Sequence, residues 1–321
     1  MTMNKNKNKW LSLLFDYGLL FVLILIILIV SLLSKEFMTV DNMTNILRQS
    51  AVIGIMAIGV TVVILAGHID LSIGSTVSLA GVIVMSFVNN YSMDWTGMIL
   101  AILAGGLVGL VNGLIIAVIN GRTCDSFIIT FGMQTAVAAV ALIYSGGKYM
   151  SGTGGGVHSL LGKGYLPIFF FLFFAVVLFL VMRYTPFGRT VYFMGANTKA
   201  AKMSGVNIKF YTTMLFVIAG IMASTASVIL SSRVNAASPT SGKGYELDAI
   251  AAVVVGGTSL TGGKGGIFKT VLGVVIIGVL GNALNVMNVT TYPQMIIRGF
   301  IIIIAVVLDV SGNKLKNSGV N

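Results

Sequence analysis

Ten times along the chain, apolar residues run almost uncharged for the length that crosses a bilayer, or close to it: residues 13–33, 49–66, 71–88, 95–119, 127–145, 165–182, 210–230, 247–260, 267–287 and 293–308. A helix rises about 1.5 Å per residue, so roughly 20 such residues cover a hydrocarbon core about 30 Å thick. Backbone amides and carbonyls find no water inside that core, and a helix satisfies them internally. The runs predict an all-α integral membrane protein of about ten transmembrane helices, some short or broken, with no soluble domain.

Composition excludes a soluble protein. Hydrophobic residues make up 56% of the chain and charged ones 9%, against roughly 25% charged in soluble domains. The run at 247–260 is short and rich in small residues, so its depth is the open point of the count. The last run contains Arg298, near enough to a helix end to snorkel to the interface. Pro167, Pro186, Pro239 and Pro293 all avoid the centres of the runs, which supports the boundaries.

The net charge of +11 is spread between apolar runs and forms no compact basic block, so it does not indicate nucleic acid. It reports topology, because Lys and Arg in short loops stay on the cytoplasmic side. With the N-terminus inside and ten crossings, the inner loops collect thirteen cations: Lys5, Lys7, Lys9, Arg122, Arg183, Arg189, Lys199, Lys202, Lys209, Lys264, Lys269, Lys314 and Lys316. The outer side keeps seven: Lys35, Arg48, Lys148, Lys163, Arg233, Lys243 and Arg298. This predicts both termini in the cytoplasm. Residues 1–12 are expected as a tail, 13–310 as the transmembrane domain with a long inner loop at 183–209, and 311–321 as a second tail. The apolar stretch after the N-terminal lysines is too long for a cleaved signal and is read as a retained first helix.

Polar residues within this apolar background are the candidates for function. In Gly67-His68-Ile69-Asp70-Leu71-Ser72-Ile73-Gly74-Ser75, Asp70 is the only charge between Arg48 and Asp94. Two roles stay open for it: capping the helix that follows, or lining a polar pathway. His68 lacks the His or Cys neighbours of a metal site, and Cys124 can form no disulfide within the chain. Asn112, Gln134 and Asn282 suit helix packing or a route for a hydroxylated solute, since carboxamides both donate and accept. Gly105, Gly109 and Gly113 lie on one helix face and allow close packing, within the subunit or between subunits.

Two glycine-rich stretches need separate treatment. Within the inner loop, residues 197–203 can form a short amphipathic helix ended by Gly205, with small residues at Ala200, Ala201 and Ser204 that a partner can approach. The stretch Gly256 to Gly266 resembles a phosphate-binding loop only in composition. Counting back from Lys264, Thr258 stands where the first glycine belongs, and Gly265 replaces the magnesium-binding Ser or Thr. No ATP hydrolysis is expected of this chain, nor other catalysis, because His68 and His158 have no nucleophile or carboxylate at a diagnostic spacing.

Taken in order, Gly67 to Ser75, Gly195-Ala196-Asn197-Thr198-Lys199-Ala200-Ala201-Lys202-Met203-Ser204-Gly205, and Ala237 to Thr240 followed by Gly244 to Leu260 resemble the permease subunit of ribose-type bacterial ABC monosaccharide importers, over about residues 48–309. The resemblance implies a multi-pass protein of the bacterial cytoplasmic (inner) membrane. It implies a homodimer with a second permease copy, a cytoplasmic ATP-binding subunit that holds ATP and Mg, and an extracytoplasmic sugar-binding protein. This chain would then carry no cofactor. Gly195, Asn197, Ala200, Ala201, Ser204 and Gly205 would form the coupling loop on the ATPase, and His68, Asp70, Ser72, Asn112, Gln134 and Asn282 are candidates for the translocation pathway. Two positions depart from the family pattern: His68 replaces a small glycine, and Asp125-Ser126 stand where a proline is common. Other solutes fit the same architecture, namely a polyol, a furanone signal or a branched amino acid. An ion-driven secondary transporter is the alternative of a different class, and the scarcity of membrane acids argues against proton coupling.

Overall fold

The structure, a computed structural model, describes residues 24–25, 27–32, 34–152 and 156–318. The predicted tail at 1–12 and most of the first span lie outside the described residues. The described fold is helical: α1 (Val40–Leu65), α2 (Ile73–Tyr91), α3 (Asp94–Ile119), α4 (Thr123–Ser145), α5 (His158–Leu161), α6 (Leu166–Tyr184), α7 (Pro186–Ala196), α8 (Thr198–Met203), α9 (Ile208–Val234), α10 (Tyr245–Val255), α11 (Ile267–Val286) and α12 (Thr291–Ser318). The described β-structure is one antiparallel pair, β1 (Met150–Ser151) with β2 (Ala236–Ala237).

Among the described residues, six helices, α1, α3, α4, α6, α9 and α11, are long and apolar enough to cross a membrane. Shorter apolar stretches, Ile73–Asn89 and Tyr292–Ile304, lie in α2 and α12. The protein is thus an all-α membrane protein. The run at 247–260 does not form a full span: α10 has 11 residues, about 16 Å of helix or half a hydrocarbon core. The apolar stretch proper ends with the helix at Val255, and the small and polar residues Gly256-Gly257-Thr258-Ser259 follow. At the other end of the chain, α12 continues through Ser318, so residues expected as a tail prolong the last helix.

Consecutive helices deliver their ends alternately to two faces. On one, called face A here, Thr123 Oγ1 donates to the Gly67 carbonyl at 2.6 Å, the Gly263 amide donates to the Leu65 carbonyl at 2.9 Å, and the Tyr192 hydroxyl donates to the Gly265 carbonyl at 3.1 Å. Face B gathers the opposite ends. There the Gly162 amide donates to Ser232 Oγ at 2.7 Å, the His158 amide donates to Asp94 Oδ2 at 2.8 Å, and β1 pairs with β2.

α1 and α9 form the centre, with α1 buried from Ser50 to Leu65 apart from Ile53. The glycine stripe of α3 packs within the subunit: a Cβ on Gly105, Gly109 or Gly113 would strike Gly220 and Ser224, the Phe216 carbonyl, or Thr213, all on α9. With that stripe, α3 and α9 approach backbone to backbone, where dispersion contacts replace the hydrophobic drive that lipid removes. Polar links fix the outer pairs: Thr61 and Thr270 hydroxyls meet at 2.7 Å between α1 and α11.

Candidate functional site

Thr123, Ser126 and Thr130 share one face of α4 at helical spacing. Each hydroxyl meets the non-helical chain that leaves α1. Thr123 holds the Gly67 carbonyl, Ser126 Oγ accepts from the Ile69 amide at 3.1 Å, and Thr130 Oγ1 accepts from the Leu71 amide at 3.1 Å. The chain therefore climbs beside α4 from Thr123 to Thr130, about 10 Å into the membrane, before α2 begins. Serine and threonine hydroxyls here satisfy amides that have no helix of their own.

The chain entering α10 descends from face B in the same way. After β2, the Gly242 amide donates to Ser78 Oγ at 2.9 Å, and the Gly242 Cα lies against the Gly74 carbonyl in the first turn of α2. Glu246, in the first turn of α10, accepts from Gln134 Nε2 at 2.9 Å and from the Gly244 amide at 3.0 Å. Gln134 lies 11 residues along α4 from Thr123, about 16 Å from face A. Two broken crossings thus meet near the middle of the membrane, and α2 and α10 both start there.

Four of the six predicted pathway residues lie along the rising break. Asp70 Oδ1 accepts from the Ser72 amide at 2.9 Å and from Ser72 Oγ at 2.7 Å, and Asn112 Nδ2 donates to the same Ser72 Oγ at 2.8 Å. Asp70, Ser72 and Asn112 are at most 1% exposed. Asp70 Oδ2, Asn112 Oδ1 and His68 Nδ1 have no protein partner. Asp70 closes a turn onto Ser72, the residue before α2, and His68 packs on Phe216 with ring centroids 6.0 Å apart. Gln134 joins the descending break through Glu246. Asn282 stands apart: it exchanges two amide hydrogen bonds, 2.9 and 2.8 Å, with Asn42 in the first turn of α1.

Arg298 has a partner within the protein. Its Nη1 donates to Asp248 Oδ2 at 2.6 Å, which ties α12 to the buried first turn of α10.

On face A, the loop at 183–209 folds into α7 and α8. Asn197 Oδ1 caps α8 by accepting from the Ala200 amide at 3.0 Å, and Gly205 with φ of 82° follows its end. Gly195 sits where a Cβ would strike the Leu65 carbonyl and the Gly263 amide. Ala200 is half-buried and Ala201 fully buried, so Ala201 faces the body rather than outward. Asn197, Lys199, Lys202, Met203, Ser204 and Gly205 make the exposed surface, with Met203 89% exposed. A cavity of about 460 Å³ beside α8 is lined by His68, Arg122, Lys199 and Lys202 among others. Burial raises the Tyr192 phenol above its ordinary value, so it stays a donor to Gly265. Across the protein on face B, burial lowers the His158 imidazole, against the opposing charge of Asp94.

Sequence reading missed Thr123, Ser126, Thr130, Gly242 and Glu246. The three hydroxyls on one α4 face were a legible signal; nothing in the sequence reveals that Glu246 reaches Gln134, 112 positions away.

The model of a family described as branched-chain amino acid transport system / permease component matches residues 42–306. The chain is similar to the ribose import permease protein of Haemophilus influenzae, 39% identical over 89% of this chain and 90% of that one. The ribose import permease protein of Bacillus subtilis is also 39% identical, over 89% and 90%. The D-allose transport system permease protein of Escherichia coli is 35% identical over 91% of both. No solved structure matches the chain.

Proposed function

The chain belongs to the family described as branched-chain amino acid transport system / permease component, and we propose that it carries ribose, or a monosaccharide of that type, across the bacterial cytoplasmic membrane. It is the multi-pass permease subunit of a sugar ABC importer, which works with an ATP-binding subunit and a sugar-binding protein. The observation that carries the ribose reading is identity of 39% over nine-tenths of the chain to permeases named for ribose import. The family description names branched-chain amino acids, so those compete as cargo.

In this reading two copies pair, face A is cytoplasmic, and both termini lie on that side. Supporting this orientation, Arg122, Arg183, Arg189, Lys199, Lys202, Lys209, Lys264 and Lys269 belong to connections and helix ends of face A. ATP and Mg are held and hydrolysed by the partner. α8, with Gly195, Asn197, Ala200, Ser204 and Gly205, is the docking element, and Ala201 anchors it from beneath. The polar mid-membrane junction around Asp70, Ser72, Asn112 and Gln134 serves the pathway, with His68 at its face A end.

The test is reconstitution of the chain with its cognate ATPase and binding protein, followed by uptake of labelled ribose, allose, galactose and leucine. ATP-dependent ribose uptake supports the reading; uptake of leucine alone, or uptake by the lone chain on an ion gradient, refutes it.

A further inference from the structure

Residues 238–244 form successive hydrogen-bonded turns without a helix. Their start lies where Ala237 packs against Gly81 of α2, and their end at mid-membrane is held by three contacts: Gly242 with Ser78, Gly242 with Gly74, and Gly244 with Glu246. Their amides pair within the turns and with Ser78 and Glu246, and irregular backbone at such depth still does not face lipid. It is found buried in protein or lining water.

One flank of this stretch is buried and the other is open. Gly242 packs on α2, while Thr240 and Lys243 are exposed, and Ser238 and Ser241 are partly so. Lys243 decides between the possible surroundings. At mid-membrane its stem is far shorter than the roughly 15 Å to either surface, so the ammonium cannot snorkel out. Pressing it dry against another protein surface carries the desolvation cost of an unpaired charge. Water is the environment that leaves the ammonium solvated. Gln134, half-buried on α4, and Thr135, exposed beside it, lie at the same level through the Gln134–Glu246 bond.

We propose that the open flank of residues 238–244, with Thr240 and Lys243, and the Gln134–Thr135 edge of α4 form the wall of the aqueous sugar route at mid-membrane. This deepens the importer reading and rests on it. Hydroxyl, carboxamide and ammonium groups there offer donors and acceptors to sugar hydroxyls as water is exchanged for wall.

The test uses the reconstituted full complex with the exposed Cys124 replaced by serine. Thr240→Cys and Lys243→Cys are each treated with a membrane-impermeant cationic methanethiosulfonate, beside Leu103→Cys on the exposed flank of α3 as a lipid-facing control. The expected result is reaction at both positions at least about tenfold faster than at the control, slowed by saturating ribose with its binding protein, and loss of most ATP-driven uptake after modification. Reaction no faster than at Leu103→Cys means that lipid or the second copy covers this flank, and overturns the proposal. Fast reaction with uptake unchanged also overturns it, because the water there is then not the sugar's route. Labelling is read whether or not sugar moves, so a failure of the importer reading shows separately, as absent uptake by the unlabelled complex.

Discussion

The carbonyl of Leu65, at the end of α1, accepts the amide of Gly263 at 2.9 Å, and Gly195 lies directly against that bond. The end of α7, which leads into the proposed docking helix α8, the end of α1 and the loop after α10 therefore share one contact. Gly195→Val forces a side chain into backbone atoms, an overpacking that costs about 1–3 kcal/mol. We expect ATPase to co-purify with this variant while sugar-stimulated ATP hydrolysis falls several-fold. Unchanged stimulation would refute the transmission role.

Thr130→Val removes the acceptor of the buried Leu71 amide. Leaving that donor unpaired costs about 1–3 kcal/mol, so thermal unfolding in detergent should move down by several degrees. Thr130→Ser keeps the hydroxyl and should recover most of the loss; if both variants behave alike, packing rather than hydrogen bonding explains the position.

The two sides of α8 should respond differently. Met203→Glu alters an exposed residue, and we expect it to weaken ATPase co-purification with no change in unfolding temperature. Ala201→Glu buries a charge beneath the helix and should lower the unfolding temperature itself. Equal destabilisation by both would count against α8 as a docking surface.

His158 titrates below its ordinary value because it is buried. A depressed pKa means that the unfolded chain binds a proton first, so the stability it supplies is complete above the ordinary value of 6.5 and is lost as pH falls through the folded value. Its Nε2 lies 3.0 Å from Ser231 Oγ. Unfolding temperature should drop on acidification below 6.5, and His158→Gln should flatten that limb. An acid limb unchanged in the variant would assign the effect to another group.

The spans and the α3 glycine stripe were legible because both depend on side chains near in sequence: apolar length in one, four-residue spacing in the other. The first break was legible in part, because the glycines around Asp70 interrupt two apolar runs and allow the backbone to turn. The second was not: residues 238–244 read as a polar connection, and the contact that holds Gly242 beside α2 comes from Ser78, 164 positions away. Asp70, Ser72 and Asn112 were legible as polar residues out of place, and the structure joins them. Asn282 carried the same signal and instead pairs with Asn42, a contact across 240 positions that no local pattern encodes. Ala201 read as docking surface because it is small; the same smallness lets α8 lie flat on the body.

The shortness of α10 has a mechanical consequence. An eleven-residue rod seated between the turns of residues 238–244 above and a glycine loop below reaches neither membrane surface, and its first turn is bonded to α4 through Glu246 and to α12 through Asp248. A displacement of one or two ångströms at the lower loop, the size of ordinary helix shifts, therefore reaches α4 and α12 together, at the same level, through one rigid element.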